Sequence, residues 1–401
     1  MGKLYTKIFQ LCFKLGMAVL PWTIPQTLEG SGCVTELPYV IKKDGYRRIL
    51  IVTGPHLFKL GALDELLASL NEAALEYTVF NDISSNPTDV HVEKGVKAYL
   101  EFGCDCIIAF GGGSPMDCAK AIGARIARPH KTVAQLQGTF KVLRRLPMLY
   151  AVPTTSGTGT ETTLAAVITD SATHHKAAIQ DISLMPKFAV LDPKLTVNLP
   201  PSVTAASGMD ALCHAVEAYT NQTYNSKLED RLSEDAVRLI YHNLYSVYTD
   251  GSNLEARQNM QKAAFYAGRA FTRGCVGYVH AIGHTLSGLY GLSHGLVMGI
   301  NLPHIMRLYG SAAHERLARL AEVCGMSGSS DAQKAEIFIS WIEDLKERMD
   351  IPKYIDPIPE KDKDQIIRWA MKEGNPLYPT PVYWDYEAFK KALRYCEGKS
   401  I

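Results

Sequence analysis

The chain has 401 residues, 47% hydrophobic and 21% charged, which excludes a disordered or fibrous protein and allows two or three domains with a sizeable core. Lys plus Arg number 42 and Asp plus Glu 41, so a net charge of +1 supplies no global field for gripping nucleic acid or an anionic surface. The nine cysteines are scattered, with no CxxC pair, and predict free thiols in a reducing cytoplasm rather than a disulfide framework.

Residues 1–27 read as an extension. Leu4 to Leu15 is apolar with lysines spaced along it, and no acidic residue precedes Glu29. Lys14 interrupts the run, which is too short and too charged to span a bilayer. The pattern predicts an amphipathic arm docked on the domain or on a partner subunit.

From about residue 45 the pattern alternates. Arg48 to Thr53 is a short β-branched run, followed by leucines at helical spacing over 60–75. Tyr77 to Phe80 is a second strand and Val90 to Phe102 a helix. Cys106 to Phe110 is a buried strand that runs into Gly111-Gly112-Gly113-Ser114, and Met148 to Val152 is another, ending at Pro153. This alternation predicts a parallel sheet covered on both faces. The VITDSATHHKAAI stretch and Phe188 to Asp192 read as later strands. After Leu199-Pro200-Pro201-Ser202 strand signals nearly vanish. Helices are expected over 202–219, 228–248, 253–269, 281–290, 314–324, 334–349 and 361–373. The chain therefore divides into an α/β region, 28–199, and an all-helical region, 200–401, with the cleft between them as the default ligand site.

Two polar loops follow strands in the first region. GGGSPMDCAK, from Gly111, has the strand–glycine–helix order that lets backbone N–H groups approach phosphate oxygens, with Ser114 able to cap the helix. Asp117 suits a ribose hydroxyl or an amide better than an anion. PTTSGTGTETT, from Pro153, offers many hydroxyl and N–H donors at a second strand end. Either alone is ordinarily a solvated turn; two after separate strands point to a ligand edge.

In the helical region Asp210 and His214 stand one turn apart on a helix face. Downstream, VHAIGHTLSGLYGLSHG carries His280, His284 and His294, a concentration in a chain with 12 histidines. One carboxylate and three imidazoles can hold Fe(II), Zn(II), Co(II) or Ni(II) and leave a position for a substrate oxygen. A lone helical histidine is ordinarily a satisfied core or surface residue, and His174, His175, His242, His304 and His314 keep that reading.

These four motifs, in this order and spacing, resemble the iron-containing (group III) alcohol dehydrogenases over residues 28 to 395. The resemblance implies an α/β N-terminal dinucleotide-binding domain with a parallel, Rossmann-like sheet and an all-α C-terminal domain, the dehydroquinate synthase-like fold. It places metal ligands on Asp210, His214, His280 and His294, and a catalytic or proton-relay role on His284. Cofactor positions fall on Gly54, Asn86, Gly112, Gly113, Ser114, Asp117, Thr154, Thr155, Thr158, Val167, Lys176, Leu195 and Leu199. Relatives specific for NAD carry Asp where this chain has Gly54. A glycine there removes the ribose acceptor and the repulsion of a 2′-phosphate, so it permits NADP(H) without demanding it; NADP(H) is slightly favoured over NAD(H), with dual use and with His56 and Lys59 nearby. Thr160 stands where the family has Ser and keeps the hydroxyl.

The expected activity is a metal-dependent, NAD(P)-linked alcohol dehydrogenase or aldehyde reductase, with Fe(II) as metal and Zn(II) or Ni(II) as alternatives. A homo-oligomer, at least a dimer, is implied. A glycerol dehydrogenase-like enzyme of the same fold, or a non-catalytic nucleotide- or metal-binding protein, are the alternatives. Phe265 and Tyr278 are candidates to line the substrate pocket.

Overall fold

A computed structural model describes residues 2–83, 86–172 and 176–399. The chain divides into Pro21–Asn198 and a second unit made of Met1–Leu20 with Leu199–Ile401.

The first unit is built on a six-stranded sheet. Its strands are β1 (Gln26–Glu29), β2 (Arg48–Val52), β3 (Glu76–Phe80), β4 (Cys106–Gly111), β6 (Met148–Pro153) and β9 (Phe188–Leu191), in the order β1-β9-β6-β4-β2-β3. Every pairing is parallel. Alternate side chains feed two cores, as a period of two requires. Leu50, Val52, Ile107, Ala109, Leu149 and Ala151 enter one, whereas Ile49, Ile51, Ile108, Phe110, Tyr150 and Val152 enter the other. With both faces buried, the strands are continuous apolar runs. The chain passes from β2 outward to β3, then returns across β2 to β4. The strand order therefore reverses between β2 and β4, and their carboxyl ends form the crevice where such sheets bind ligands. Helix Asp89–Phe102 is fixed by a Thr88–His91 capping box and ended by Gly103 in the left-handed region.

The second unit is helical. Pro201–Thr220, Lys227–Thr249 and Leu254–Gly274 pack together, joined by Tyr278–Tyr290, His294–Tyr309, Ser311–Val323, Asp331–Arg348, Glu360–Gly374 and Tyr386–Cys396. Pro201 supplies a preset first helical residue, and Ser226 with Glu229 caps the next helix. Leu212, Val216, Ile240, Ile282, Ile305 and Phe338 belong to one continuous core.

Several expectations change. Gln26 and Thr27, read as extension, pair with β9. Residues 3–18 form a helix that joins the helical unit. The VITDSATHHKAAI stretch does not extend the main sheet. It forms β7 (Ala165–Thr169) and β8 (Lys176–Gln180), an antiparallel pair that makes a separate three-stranded sheet with β5 (Gly138–Thr139). His174 and His175 lie outside the described residues. Helix His294–Tyr309 lies outside the expected set: it is apolar nearly all round and contains Pro303, which signals a break. No described helix is long and apolar enough to cross a membrane. All nine cysteines are free thiols.

Candidate active site

Three helices of the second unit bring the histidines to one carboxylate. Asp210, His214 and Glu217 lie at i, i+4 and i+7 of Pro201–Thr220, so one helix face carries all three. Helix Tyr278–Tyr290 brings His280 and His284, and His294 opens the next helix. Around Asp210 Oδ1, His294 Nε2 lies at 3.3 Å, His280 Nε2 at 3.7 Å and His214 Nε2 at 4.0 Å. Donor atoms of Asp210, His280 and His294 all fall within 4.8 Å of one another. His214 lies just outside that group, with its ring stacked at 4.6 Å on His280 and at 4.2 Å on Phe271. Two ligands of one first-row ion, each bonded at about 2.0–2.2 Å, stand roughly 3–3.6 Å apart. The observed spacing is slightly wider, and a small inward movement of the rings closes it.

The donor atoms are arranged for a cation. Asp210, His214 and His280 are buried, while the His294 side chain is 37% exposed and opens the site on one side. Asp210 Oδ1 and His280 Nε2 are buried atoms without a hydrogen-bond partner among the described residues. Two such atoms facing each other are costly unless something sits between them. Burial pushes the Asp210 carboxyl up, but His214, His294 and His280 outweigh it and hold it well below its ordinary value. Burial pushes the His280 imidazole down, but Glu217 and Asp210 outweigh this and raise it to about 9. His294 is lowered, chiefly by burial. The donor set and its spacing fit a divalent metal.

The close approach of the helices depends on Gly295. A Cβ there would lie 2.1 Å from the Ala206 carbonyl oxygen and 3.2 Å from Asp210 Cβ. The glycine after His294 thus lets the imidazole reach the carboxylate.

Sequence reasoning missed two acids. Glu217 is fully buried; its Oε2 contacts His280 Nδ1 and its Oε1 accepts from the Val279 N–H at 2.7 Å. Its position seven residues past Asp210 was the available signal. Glu373 accepts at Oε1 from Tyr378 O–H at 2.9 Å and meets His284 Nδ1 at 2.6 Å. His284 is 40% exposed and stacks on His294 at 5.1 Å. Nothing local in the sequence links Glu373 to His284. Tyr278, expected to line a pocket, is instead in the core: its O–H donates to Asn375 Oδ1 and its ring packs on Trp384 and Phe389. Phe265 is buried.

In the α/β unit, Gly54 and the residues of the two polar loops lie at the carboxyl ends of neighbouring strands. β2, β4 and β6 are adjacent and parallel, so the segments after them emerge together. These carry Gly54, then Gly112, Gly113 and Ser114, then Thr154, Thr155 and Thr158. A Cβ on Gly112 would meet Thr155 at 3.3 Å, and one on Gly113 would meet Thr158 at 3.1 Å, so the two polar loops touch. The Thr154 N–H donates to the Gly111 carbonyl at 3.0 Å. Asp117 Oδ2 accepts from the Val167 N–H, and Lys176 Nζ donates to Asn86 Oδ1 at 2.7 Å, pairing four more of the set. Burial lowers Lys176. Leu195 lies on the short turn Pro193–Thr196, and Leu199 is the first residue of the helical segment of the second unit. Ser114 is not the cap; Gly112 holds that position without a side-chain bond, because the helix already starts at Gly113.

Lys120, one turn past Asp117, is fully buried. Its ammonium donates to the carbonyls of Thr160, Thr163 and Ala165 at 2.7, 2.7 and 3.0 Å and to Thr163 Oγ1 at 2.8 Å. It ties the glycine-loop helix to the hydroxyl-rich loop.

A doubly wound sheet with two polar loops at neighbouring strand ends, and a helical unit with a carboxylate–imidazole cluster, define the class of metal-dependent nucleotide-linked oxidoreductases. Residues 25–193 match the family described as iron-containing alcohol dehydrogenase, and residues 204–391 match its C-terminal family. The chain is 36% identical over 342 residues to the NAD-dependent methanol dehydrogenase of Bacillus methanolicus, covering 85% of this chain and 89% of that one. It is 33% identical over 337 residues to the NADPH-dependent butanol dehydrogenase of Clostridium saccharobutylicum, covering 83% and 85%. The crystal structure of a 1,3-propanediol oxidoreductase superposes with a TM-score of 0.90 at 34% identity, covering 94% of this chain and 100% of that chain. The chain belongs to the iron-containing alcohol dehydrogenase family. It is a metal-dependent alcohol dehydrogenase.

Proposed function

We propose that Asp210, His214, His280 and His294 hold a divalent metal, Fe(II) foremost with Zn(II) or Ni(II) as substitutes, and that the sheet edge from Gly54 to Thr158 binds NADP(H) in preference to NAD(H), with dual use. The observation that carries the metal assignment is the pair of buried atoms without a hydrogen bond among the described residues, Asp210 Oδ1 and His280 Nε2, turned toward one point. When bound, the metal supplies a Lewis acid and the nicotinamide a hydride donor or acceptor for a small alcohol or aldehyde. Glu217 fixes the His280 ring so that Nε2 faces Asp210. Glu373 holds His284 through Nδ1, and His284 exchanges the substrate's proton at Nε2.

Gly54 supports the NADP(H) preference. Its φ is −89°, ordinary for any residue, and a Cβ would meet only the Ile83 carbonyl oxygen, at 4.0 Å. The backbone therefore does not require glycine there, and its absent carboxylate leaves a 2′-phosphate unopposed. Relatives named for NAD and for NADPH both accord with dual use. Free thiols support a cytoplasmic setting, and a homo-oligomer, at least a dimer, rests on the family resemblance.

The test is an anaerobic assay of protein stripped of metal and reloaded with Fe(II), Zn(II) or Ni(II), offered butyraldehyde with NADH or NADPH. Cofactor oxidation that requires reloading is expected. Gly54→Asp is expected to lower the NADPH/NADH ratio of kcat/KM at least roughly tenfold, the effect of about 1.4 kcal/mol of charge repulsion. Turnover without metal contradicts the metal role, and an unchanged ratio contradicts the placement of Gly54 at the ribose.

A further inference from the structure

The Lys3–Ala18 helix turns a mixed face to the fold and leaves an apolar face exposed. Thr6, Gln10, Phe13 and Met17, at i, i+4, i+7 and i+11, face the helical unit: Thr6 and Met17 are buried, and Gln10 Nε2 donates to the carbonyls of Pro376 and Tyr378 at 3.1 and 3.0 Å. The Phe13 ring lies 5.3 Å from Tyr224. Leu4, Ile8, Leu11 and Leu15 repeat the same spacing on the opposite side. With Val19 just past the helix end, they are 56–82% exposed. At 100° per residue these side chains form one stripe along the whole helix.

Lys3, Lys7 and Lys14 share one edge of that stripe, again at i, i+4 and i+11, and all are exposed. No Asp or Glu occurs before Glu29 to offset them. An exposed apolar stripe with a purely cationic edge complements an apolar layer beneath an anionic one.

We propose that this outer face docks the enzyme on anionic phospholipid surfaces, with the helix lying in the plane of the interface. Leucines and Ile8 enter the headgroup–acyl boundary, and the lysine stems run along it to place their ammonium groups among lipid phosphates. A second copy of the chain fits the face less well. A second copy of this helix brings the same lysines and no carboxylate to pair with them. The helix stays peripheral because it is short and lysine-bearing.

The test is co-sedimentation of the full-length, metal-loaded enzyme with vesicles of phosphatidylcholine alone or mixed with phosphatidylglycerol. Binding to the mixed vesicles only, weakening with salt, is expected. The double variant Ile8→Glu with Leu11→Glu is expected to stay in the supernatant with aldehyde reduction unchanged. Replacing Lys3, Lys7 and Lys14 by Gln is expected to weaken binding on the order of 100-fold, about fivefold per lysine. Wild-type enzyme that remains in the supernatant overturns the proposal, as does binding indifferent to both sets of substitutions. A change in oligomeric mass in the apolar variant, without any vesicle binding by the wild type, assigns the face to a second copy instead.

Discussion

Glu217 grips His280 by the imidazole nitrogen that faces away from Asp210, and the same carboxylate accepts the Val279 N–H at 2.7 Å. With a metal bound, the contact would keep the proton on Nδ1 and leave Nε2, turned to the cluster, as the ligand atom. In Glu217→Gln the amide N–H₂ would face Nδ1, which then turns acceptor and moves the proton to Nε2. Metal affinity is expected to fall about 10–100-fold with little change in fold. Titration against a competing chelator, with circular dichroism as the control, checks this; unchanged affinity means Glu217 only packs.

Gly295→Ala places a methyl carbon 2.1 Å from the Ala206 carbonyl oxygen, so the two helices must separate. A cost of about 1–3 kcal/mol is expected. His294 moves away from Asp210 with its helix, and metal content should drop along with urea stability. Loss of stability with full metal content would show that the helix slides without carrying His294.

Lys120→Met removes the common donor of Thr160, Thr163 and Ala165. The side chain fits, but three buried carbonyls lose their charged donor, and Asp117 and Glu161 lose the nearby cation. About 3–5 kcal/mol of stability is expected to go. Because the two polar loops are held together by this ammonium, KM for the nicotinamide cofactor should rise more than kcat falls. Urea unfolding and steady-state kinetics measure both.

His304 gives a pH dependence remote from the metal cluster. Its Nε2 meets the Lys353 carbonyl at 2.8 Å, and burial lowers its pKa from 6.5 to about 4. The unfolded chain takes up this proton near 6.5, the folded chain only near 4. Between these values the unfolded state binds more protons, so stability falls as pH falls. The loss reaches on the order of 3 kcal/mol below the window and is absent above it. Melting temperatures from pH 7.5 to 4.5 are expected to decline less steeply in His304→Gln than in the wild type; parallel curves would contradict the assignment.

The site was legible where its residues cluster in the chain. Asp210 with His214, and His280 with His294, stand out because helix spacing and a local excess of histidine appear within short windows. Glu217 shares the face of Asp210 but resembles an ordinary helical acid. Glu373 is 89 residues from His284, so only tertiary packing brings them together. The main sheet was legible because strands buried on both faces are apolar runs. β1, four residues at the sheet edge, carried no such run. The His294–Tyr309 helix was hidden because it lacks a polar face to set a period.

The most direct test of the metal assignment is the metal content of His280→Ala, measured together with aldehyde reduction on the same anaerobically prepared sample. Removal of His280 takes away one of the two buried ligand atoms that make no hydrogen bond among the described residues. Metal and turnover are expected to disappear together while the helical content stays. Full metal content with full turnover in that variant would contradict the account.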